Sequence, residues 1–519
     1  MYLWGLSRLG TVKPPTLSLA PAVEASVVTP PPKSVSRGTL APVVLAASGP
    51  TMINSDVNED REPSITTVRN GVTHAETQYS AWMQFYGGPN APNFRIMAAS
   101  NNGGGWSVAT TLQGPRANNG DPLLSPNNYL GGLNPQTVYL STASVSPGPG
   151  TPYGDNGLLV WMNNGSGWSY QEVESHTGTS YSVGNQIIDD RFLIDKPSIV
   201  VSQDPNTAGT VYATYLRNPV NGAPSFTQSI GFAMLDDVTP PAGQWKIRAN
   251  VPNPPSGSGG LQSPIVVVPQ ISHGGPYGRV YVIYLDWGFH RIYVYESDDK
   301  GFSCDPKGYF DLLNDSTIRL AVSPEGRICV NRSAGDCIIA ASIISARYNW
   351  HEVSDTPSGS IGIVLNAWDG PDVNTAKMHS YFFRWNPAPT CNPVCSPGFD
   401  RGPFALTDAS LDSWDPAIDY DPAGNYVVSW YRRTDTSTLQ YKTAFSYVLN
   451  GGTLDHTISC PTCRTSDIRR YAIIGSPPYA YSIGDYQDIW YPSYLGFAAS
   501  ATVDIATSYG DIAAFNVVP

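Results

Sequence analysis

Six acidic residues recur beside short proline-led phrases, and their spacing gives this chain a chemistry to consider. They are Glu62, Asp121, Asp195, Asp336, Asp415 and Asp485. The phrases read Glu62-Pro63-Ser64-Ile65, Asp121-Pro122-Leu123-Leu124, Lys196-Pro197-Ser198-Ile199, Ser263-Pro264-Ile265-Val266 and Asp415-Pro416-Ala417-Ile418. If each phrase opens an equivalent strand around one axis, the carboxylates converge on one mouth. There they repel one another unless cations or arginines lie among them. Calcium, which takes about six to eight oxygens, suits Glu62, Asp121, Asp336 and Asp415. Two carboxylates facing each other across the mouth also suit glycoside hydrolysis, one holding its proton because of its neighbours. The alternative is that each acid only closes the turn before its own strand.

The same mouth collects groups that suit sugars. Arg61 and Arg191 can pair acidic sugars, while Trp414 and Tyr486 offer flat rings beside Asp415 and Asp485. The expected ligand contacts are therefore Arg61, Asp121, Arg191, Asp195, Trp414, Asp415, Asp485 and Tyr486. Arg61, Glu62, Asp485 and Tyr486 are the candidates for catalysis. Against this, Trp and Tyr routinely fill wedge-shaped gaps between sheets. No His-x-x-x-His spacing, Gly-x-Ser-x-Gly elbow, phosphate-binding Gly-Lys loop or dinucleotide fingerprint occurs in the sequence.

The elements that position these residues follow from the period of the phrases. Their prolines lie 59, 75, 67 and 152 residues apart, the last gap close to two periods. Asp336-Cys337-Ile338-Ile339 falls where a missing copy belongs, and Gly484-Asp485-Tyr486 falls about one period after the last phrase. A fixed period marks arrays whose units bury their faces against neighbours. After each phrase come β-branched and aromatic runs separated by turn residues, as in Arg279–Tyr284 and Arg291–Tyr295. No apolar stripe at helical spacing persists over three turns. The expected fold is an all-β propeller of seven blades, with six as the alternative count, and each proline at the start of its strand.

Composition limits the function classes. The chain has 519 residues, 14% of them charged, with 30 basic against 42 acidic residues and a net charge of −12. That balance argues against nucleic acid and against electrostatic attachment to anionic lipid. No apolar run reaches the length of a membrane-spanning helix. Residues 1–50 hold eight prolines and five charged residues, a Pro-rich leader preceding a single propeller domain over 51–519. Arg37 to Ser48 weakly resembles a secretion signal, or else docks as a closing strand, since the last unit offers only three strands of its own. Cys391/Cys395, Cys460/Cys463 and Cys329/Cys337 are close pairs that suit loop disulfides of an exported protein, with zinc or free thiols as alternatives, and Cys304 is left over. Asn164, Asn314 and Asn331 head glycosylation sequons.

The order of proline-led strand, aromatic strand and Ser-x-Asp-x-Gly turn resembles the sialidase-like (neuraminidase) propellers built from Asp-box, or BNR, repeats. Ser297-Asp298-Asp299-Lys300-Gly301-Phe302-Ser303 is the clearest box, and Ser100–Trp106 and Asn163–Trp168 are degenerate relatives. The resemblance implies structural hairpin turns between the third and fourth strands of a blade. For activity it implies an arginine triad, a Tyr–Glu nucleophile pair and an Asp acid/base. The family's Arg-Ile-Pro phrase matches Arg61-Glu62-Pro63, with Glu in place of Ile. The sequence names no other triad arginine and no Tyr–Glu pair. The expectation is a secreted or cell-surface propeller that binds glycans or a surface partner without chemistry of its own and needs no cofactor beyond structural calcium. The alternative is a glycoside hydrolase of sialidase type.

Overall fold

The computed structural model describes residues within 46–518. Residues 1–45 lie outside the described residues, as do 87–92, 129–136, 147–154, 189–191, 203–208, 220–227, 236–244, 253–259, 269–278, 350–358, 388–397, 460–465, 468–479, 482–486, 491–497, 505–510 and a number of shorter stretches. Among the described residues there is no helix, and seven sheets have four or five strands each.

Five sheets are blades built from consecutive strands, and a sixth, blade 5, is interrupted by an inserted hairpin. Blade 1 runs Glu59–Arg69, Glu76–Tyr86, Asn93–Asn101 and Thr110–Leu112. Blade 2 runs Asn118–Pro126, Val138–Val145, Asn156–Asn163 and Trp168–His176, and blade 3 Phe192–Val201, Val211–Pro219, Ser229–Leu235 and Trp245–Ile247. Blade 4 is Leu261–Val267, Val280–Asp286, Arg291–Ser297 and Asp305–Asp311. Blade 5 has a split inner edge, Leu320–Ala321 and Ile344–Asn349, followed by Ser360–Asp369, Met378–Asn386 and Gly398–Ala405. Blade 6 comprises Ser413–Tyr420, Tyr426–Arg433, Gln440–Leu449 and Thr453–Ser459, with Ser466–Asp467 added to its third strand.

The seventh sheet is composite. It pairs Asp488–Trp490, Ala498–Asp504 and Asp511–Val518, and the last of these also carries Ala46–Ala47 and Thr51–Asn54 from the other end of the chain. The closing strands thus straddle residue 50. The innermost strands contact one another in order from blade 1 to blade 7, and blade 7 contacts blade 1. Radial repetition of separate sheets in this way leaves only short, protected edges.

The proline-led phrases lie in the innermost strands, but not at their starts. In blade 1 Arg61 faces Met83 and Ser64 faces Ala81, so Glu62 and Pro63 together oppose Trp82. Register breaks in the same way at Asp121-Pro122, Lys196-Pro197, Ser263-Pro264 and Asp415-Pro416. Each phrase is a β-bulge, which explains how proline sits inside a strand where it can donate no ladder hydrogen bond. Glu62, Asp121, Lys196 and Asp415 have φ of 52°, 52°, 46° and 48°. A side chain at such an angle costs roughly 1–3 kcal/mol, tolerated because the surrounding sheets fix the conformation.

Asp336 is the exception to the period. It opens the second strand of a hairpin, Arg327–Asn331 with Asp336–Ile339, that leaves the inner edge of blade 5 and pairs in parallel with Ala480–Tyr481. A disulfide between Cys329 and Cys337 closes this hairpin. The insertion departs after Ala321, which faces Trp368, and the strand resumes at Ile344, which faces Leu365. It therefore interrupts blade 5 about where the other blades carry their bulge.

Apolar residues fill the wedges between blades. Val364, Phe382, Ile418 and Trp430 pack blade 5 on blade 6, and Tyr212, Phe232, Val282 and Tyr284 pack blade 3 on blade 4. The three box-like turns join third to fourth strands. At Ser297–Ser303, the Asp299 carboxylate accepts from the Ser303 amide at 2.9 Å and from the Ser297 hydroxyl at 2.8 Å, and Gly301 has φ of 86°. Asn101 and Asn163 accept amides in the corresponding turns of blades 1 and 2. Here an Asx side chain closes the turn and glycine takes the left-handed position. Phe302 is exposed rather than packed between blades.

Candidate functional site: the ring of inner strands

The bulges place charged side chains within the ring, and two of them, Lys196 and Asp121, pair across neighbouring blades. Glu62, Asp121, Lys196 and Asp415 are all buried. The acid expected from blade 3 is displaced by one residue. Lys196 holds the bulge position, and Asp195 beside it accepts the Lys196 amide at 2.9 Å and the Asn218 side-chain amide at 3.0 Å. Lys196 Nζ reaches Asp121 Oδ1 in blade 2 at 2.9 Å.

A second pair spans the ring. Arg347, on the inner strand of blade 5, donates to Asp488 Oδ1 of blade 7 at 3.2 Å. Asp488 also accepts from the Ser64 hydroxyl at 2.8 Å and the Ile65 amide at 3.3 Å, both in blade 1. Burial raises the Asp488 carboxyl above its ordinary value, against the opposing pull of the Arg347 charge and the hydrogen bonds from Ser64, Ile65 and Ile489. Next to it, Gln487 Nε2 donates to the Asp415 carbonyl at 2.9 Å, tying blade 7 to blade 6.

Serine after the bulge proline ties neighbouring blades together. The Ser64 oxygen accepts the Leu124 amide of blade 2 at 2.9 Å, and Ser198 accepts the Val266 amide of blade 4 at 3.4 Å. Both contacts run from the residue after one proline to the second residue after the next.

The expected mouth is thus not assembled as the period suggests. Glu62, Asp121, Asp195 and Asp415 sit inside strands at or beside the bulges, not in the loops that precede them. Asp336 lies in the blade 5 hairpin, so Glu62, Asp121, Asp336 and Asp415 do not form one cluster. Among the described residues no three His, Cys, Asp or Glu side chains are grouped so as to hold a metal ion. Trp414 is buried against Tyr431 and Tyr441, with ring centroids 5.8 and 5.7 Å away, and fills a wedge. Arg61 is buried with its guanidinium 4.7 Å from the centroid of the Phe85 ring. Arg191, Asp485, Tyr486 and the cysteine pairs Cys391/Cys395 and Cys460/Cys463 lie outside the described residues. Cys304 is a free thiol, pushed up to about 12 by burial with help from Asp299 and Asp305.

A Tyr–Glu–Arg cluster does exist, in a place the sequence did not indicate. Tyr215 donates its hydroxyl to Glu174, and Arg217 grips the same carboxylate through Nε at 2.8 Å and Nη2 at 2.6 Å. His176 Nε2 lies 2.7 Å from Glu174 Oε1. Burial works to raise the Glu174 carboxyl, but the bonds from His176 and Arg217, the Arg217 charge and the Tyr215 hydroxyl together hold it at about 2. Burial and the Glu174 charge push the Tyr215 hydroxyl well above its ordinary value. The phenol therefore stays protonated and donates to Glu174. The cluster joins the outermost strand of blade 2 to the second strand of blade 3, so it lies in a wedge away from the inner strands.

Sequence reasoning missed Lys196, Arg347, Asp488 and Ser64. A signal was available for Lys196 and for Ser64, because Lys196 holds the place before proline that Glu62, Asp121 and Asp415 hold, and Ser64 recurs as Ser198. Arg347 and Asp488 carry no such mark.

No protein-family model matches the chain, and neither does any curated protein. Solved structures of similar fold include the α-L-arabinofuranosidase of Fusarium graminearum bound to an iminosugar inhibitor, 11% identical with a TM-score of 0.42 over 93% of this chain and 98% of that one. Another is the intramolecular trans-sialidase of Ruminococcus gnavus bound to oseltamivir carboxylate, at 11% identity and TM-score 0.42, covering 73% of this chain and 90% of that one. A third is the Trypanosoma rangeli sialidase bound to sialic acid, at 12% identity and TM-score 0.38, covering 75% of this chain. This chain spans 54% of that sialidase's length.

Proposed function

We propose that this chain is an exported propeller that binds glycans and does no chemistry of its own. One observation carries the reading: two of the buried acids of the inner ring are each bonded to a cation of the same ring. Asp121 is neutralised by Lys196 and Asp488 by Arg347. A glycosidase needs two carboxyl groups facing a cleft on either side of the substrate.

Three buried arginines are likewise engaged. Arg61 stacks on Phe85, Arg217 holds Glu174, and Arg433 donates to Asp412 Oδ2 at 2.8 Å. Export is supported by the Cys329–Cys337 disulfide, a bond that persists in oxidising compartments, and by the exposed Asn164, Asn314 and Asn331. The test is a glycan array probed with the labelled protein. Retained glycans support the reading, and a blank array together with glycoside turnover would replace it with the hydrolase.

A further inference from the structure

The wedge between blades 1 and 2 is not closed at its outer edge. There a groove of about 690 Å³ opens among the outer strands of the two blades, a volume typical of ligand sites. Its cause is local. Deeper in, Leu124, Leu140, Leu159 and Trp161 fill the wedge against Ile96 and Leu112. Further out, blade 1 presents Ala98, Ser100 and Thr110, and its outermost strand is only three residues long. Small side chains on a short strand leave the space unfilled.

The groove wall is aromatic on the blade 2 side. Trp168 and Tyr170 alternate along the outermost strand and so share one face. Trp168 meets Tyr79 of blade 1 edge-on at 6.2 Å, and Tyr170 leans on Trp161 at 4.9 Å. Tyr170 is 41% exposed, one of few large apolar side chains left in solvent among the described residues. The floor of the adjoining turn is Gly165 and Gly167, with open space where a side chain would stand.

Around these rings stand neutral hydrogen-bonding groups. Thr110, Gln113 and Ser169 line the groove, and their side chains make no hydrogen bond among the described residues. No Asp, Glu, Lys, Arg or His lines it. Glu172, next along the Trp168–Tyr170 face, is tied to Arg116 at 2.5 Å. A charged ligand would lose its hydration here and gain no counter-charge. An uncharged sugar meets what it needs, because its C–H face packs on the electron-rich face of an aromatic ring and its hydroxyls reach donors and acceptors at the edge.

We infer that this groove is a binding site for a neutral oligosaccharide. The inference rests on the glycan-binding reading but is independent of the inner ring. Calorimetric titration of the full chain with cellotetraose, xylotetraose, mannotetraose and arabinotetraose tests it, with 3′-sialyllactose as the charged comparison. Trp168→Ala should weaken the neutral ligand about tenfold and Tyr170→Ala several-fold. Phe302→Ala, an exposed aromatic on blade 4, should change nothing. Melting curves of each variant separate lost binding from lost folding, and Tyr170→Ala, at an exposed position, keeps the test valid if Trp168→Ala misfolds. Neutral binding that survives both groove substitutions would overturn the groove while leaving glycan binding intact. Binding of 3′-sialyllactose alone would also overturn it, and binding of no oligosaccharide would remove both readings.

Discussion

Lys196 and Asp121 occupy the same bulge position in neighbouring blades, and the lysine ammonium donates to the carboxylate at 2.9 Å with both side chains buried. The repeat places like beside like, so a row of acids at this position would repel. A lysine in one blade converts the repulsion into a cross-blade bond. A buried pair of this kind adds little net stability, but each partner depends on the other.

Removing Lys196 should therefore cost more than removing the pair. Lys196→Met strands the Asp121 carboxylate and should destabilise by about 3–5 kcal/mol. The double variant Lys196→Met/Asp121→Leu should recover most of that loss. Urea midpoints of wild type, both single variants and the double variant measure the coupling, and additive single effects would contradict it.

Acid should weaken the blade 2–blade 3 junction through Glu174. Its carboxyl is held at about 2, below the ordinary 4.5, so the unfolded chain binds its proton first. The stability this gives is complete above pH 4.5 and drains away as pH falls toward 2, a change of about 3 kcal/mol. Glu174→Gln should flatten that part of the curve. Thermal melts from pH 7 to pH 2 supply the comparison.

Asp488 has the opposite sign. Its carboxyl is raised by burial, so the native state holds the proton more tightly than the unfolded chain. Its share of stability is greatest at low pH and declines as pH rises from 3.8 through the folded value. Asp488→Asn should remove that downward slope. An unchanged slope in the variant would show that Asp488 is not its source.

Ser64 links three blades through one hydroxyl, accepting from Leu124 and donating to Asp488. Ser64→Ala leaves a buried amide and a buried carboxylate short of a partner and should cost about 1–3 kcal/mol. Ser198→Ala, whose bond to Val266 is 3.4 Å, should cost less. Equal losses at the two sites would mean that the Asp488 contact contributes nothing.

The blade 5 hairpin should depend on its disulfide. Cys329 and Cys337 are eight residues apart, and closing so short a loop restrains the unfolded hairpin by about 2–3 kcal/mol. Reduction should open residues 327–339 to proteolysis while the blades stay intact. Limited digestion with mass mapping, with and without reductant, locates the cut.

The repeat was legible in the proline phrases because a bulge needs the same residues in each blade. Their depth in the strand was not, since Pro63 at a strand start and Pro63 in a bulge look alike in one dimension. Asp336 misled for a related reason: an insertion of the right length mimics a period. Lys196 was hidden by Asp195 beside it, although its place before Pro197 marks it as the equivalent of Asp121. Arg347 and Asp488 meet only because the ring closes, and no local pattern reports such a contact. Trp414 reads as a ligand platform in sequence, whereas burial against Tyr431 and Tyr441 shows it as packing.

The most direct measurement is hydrolysis of fluorogenic sialosides and a panel of aryl glycosides by the purified full-length chain. With Asp121 bonded to Lys196 and Asp488 to Arg347, no fluorophore should be released above the uncatalysed rate. Release that disappears in Arg61→Ala or in Asp488→Asn would contradict this and make the ring an active site.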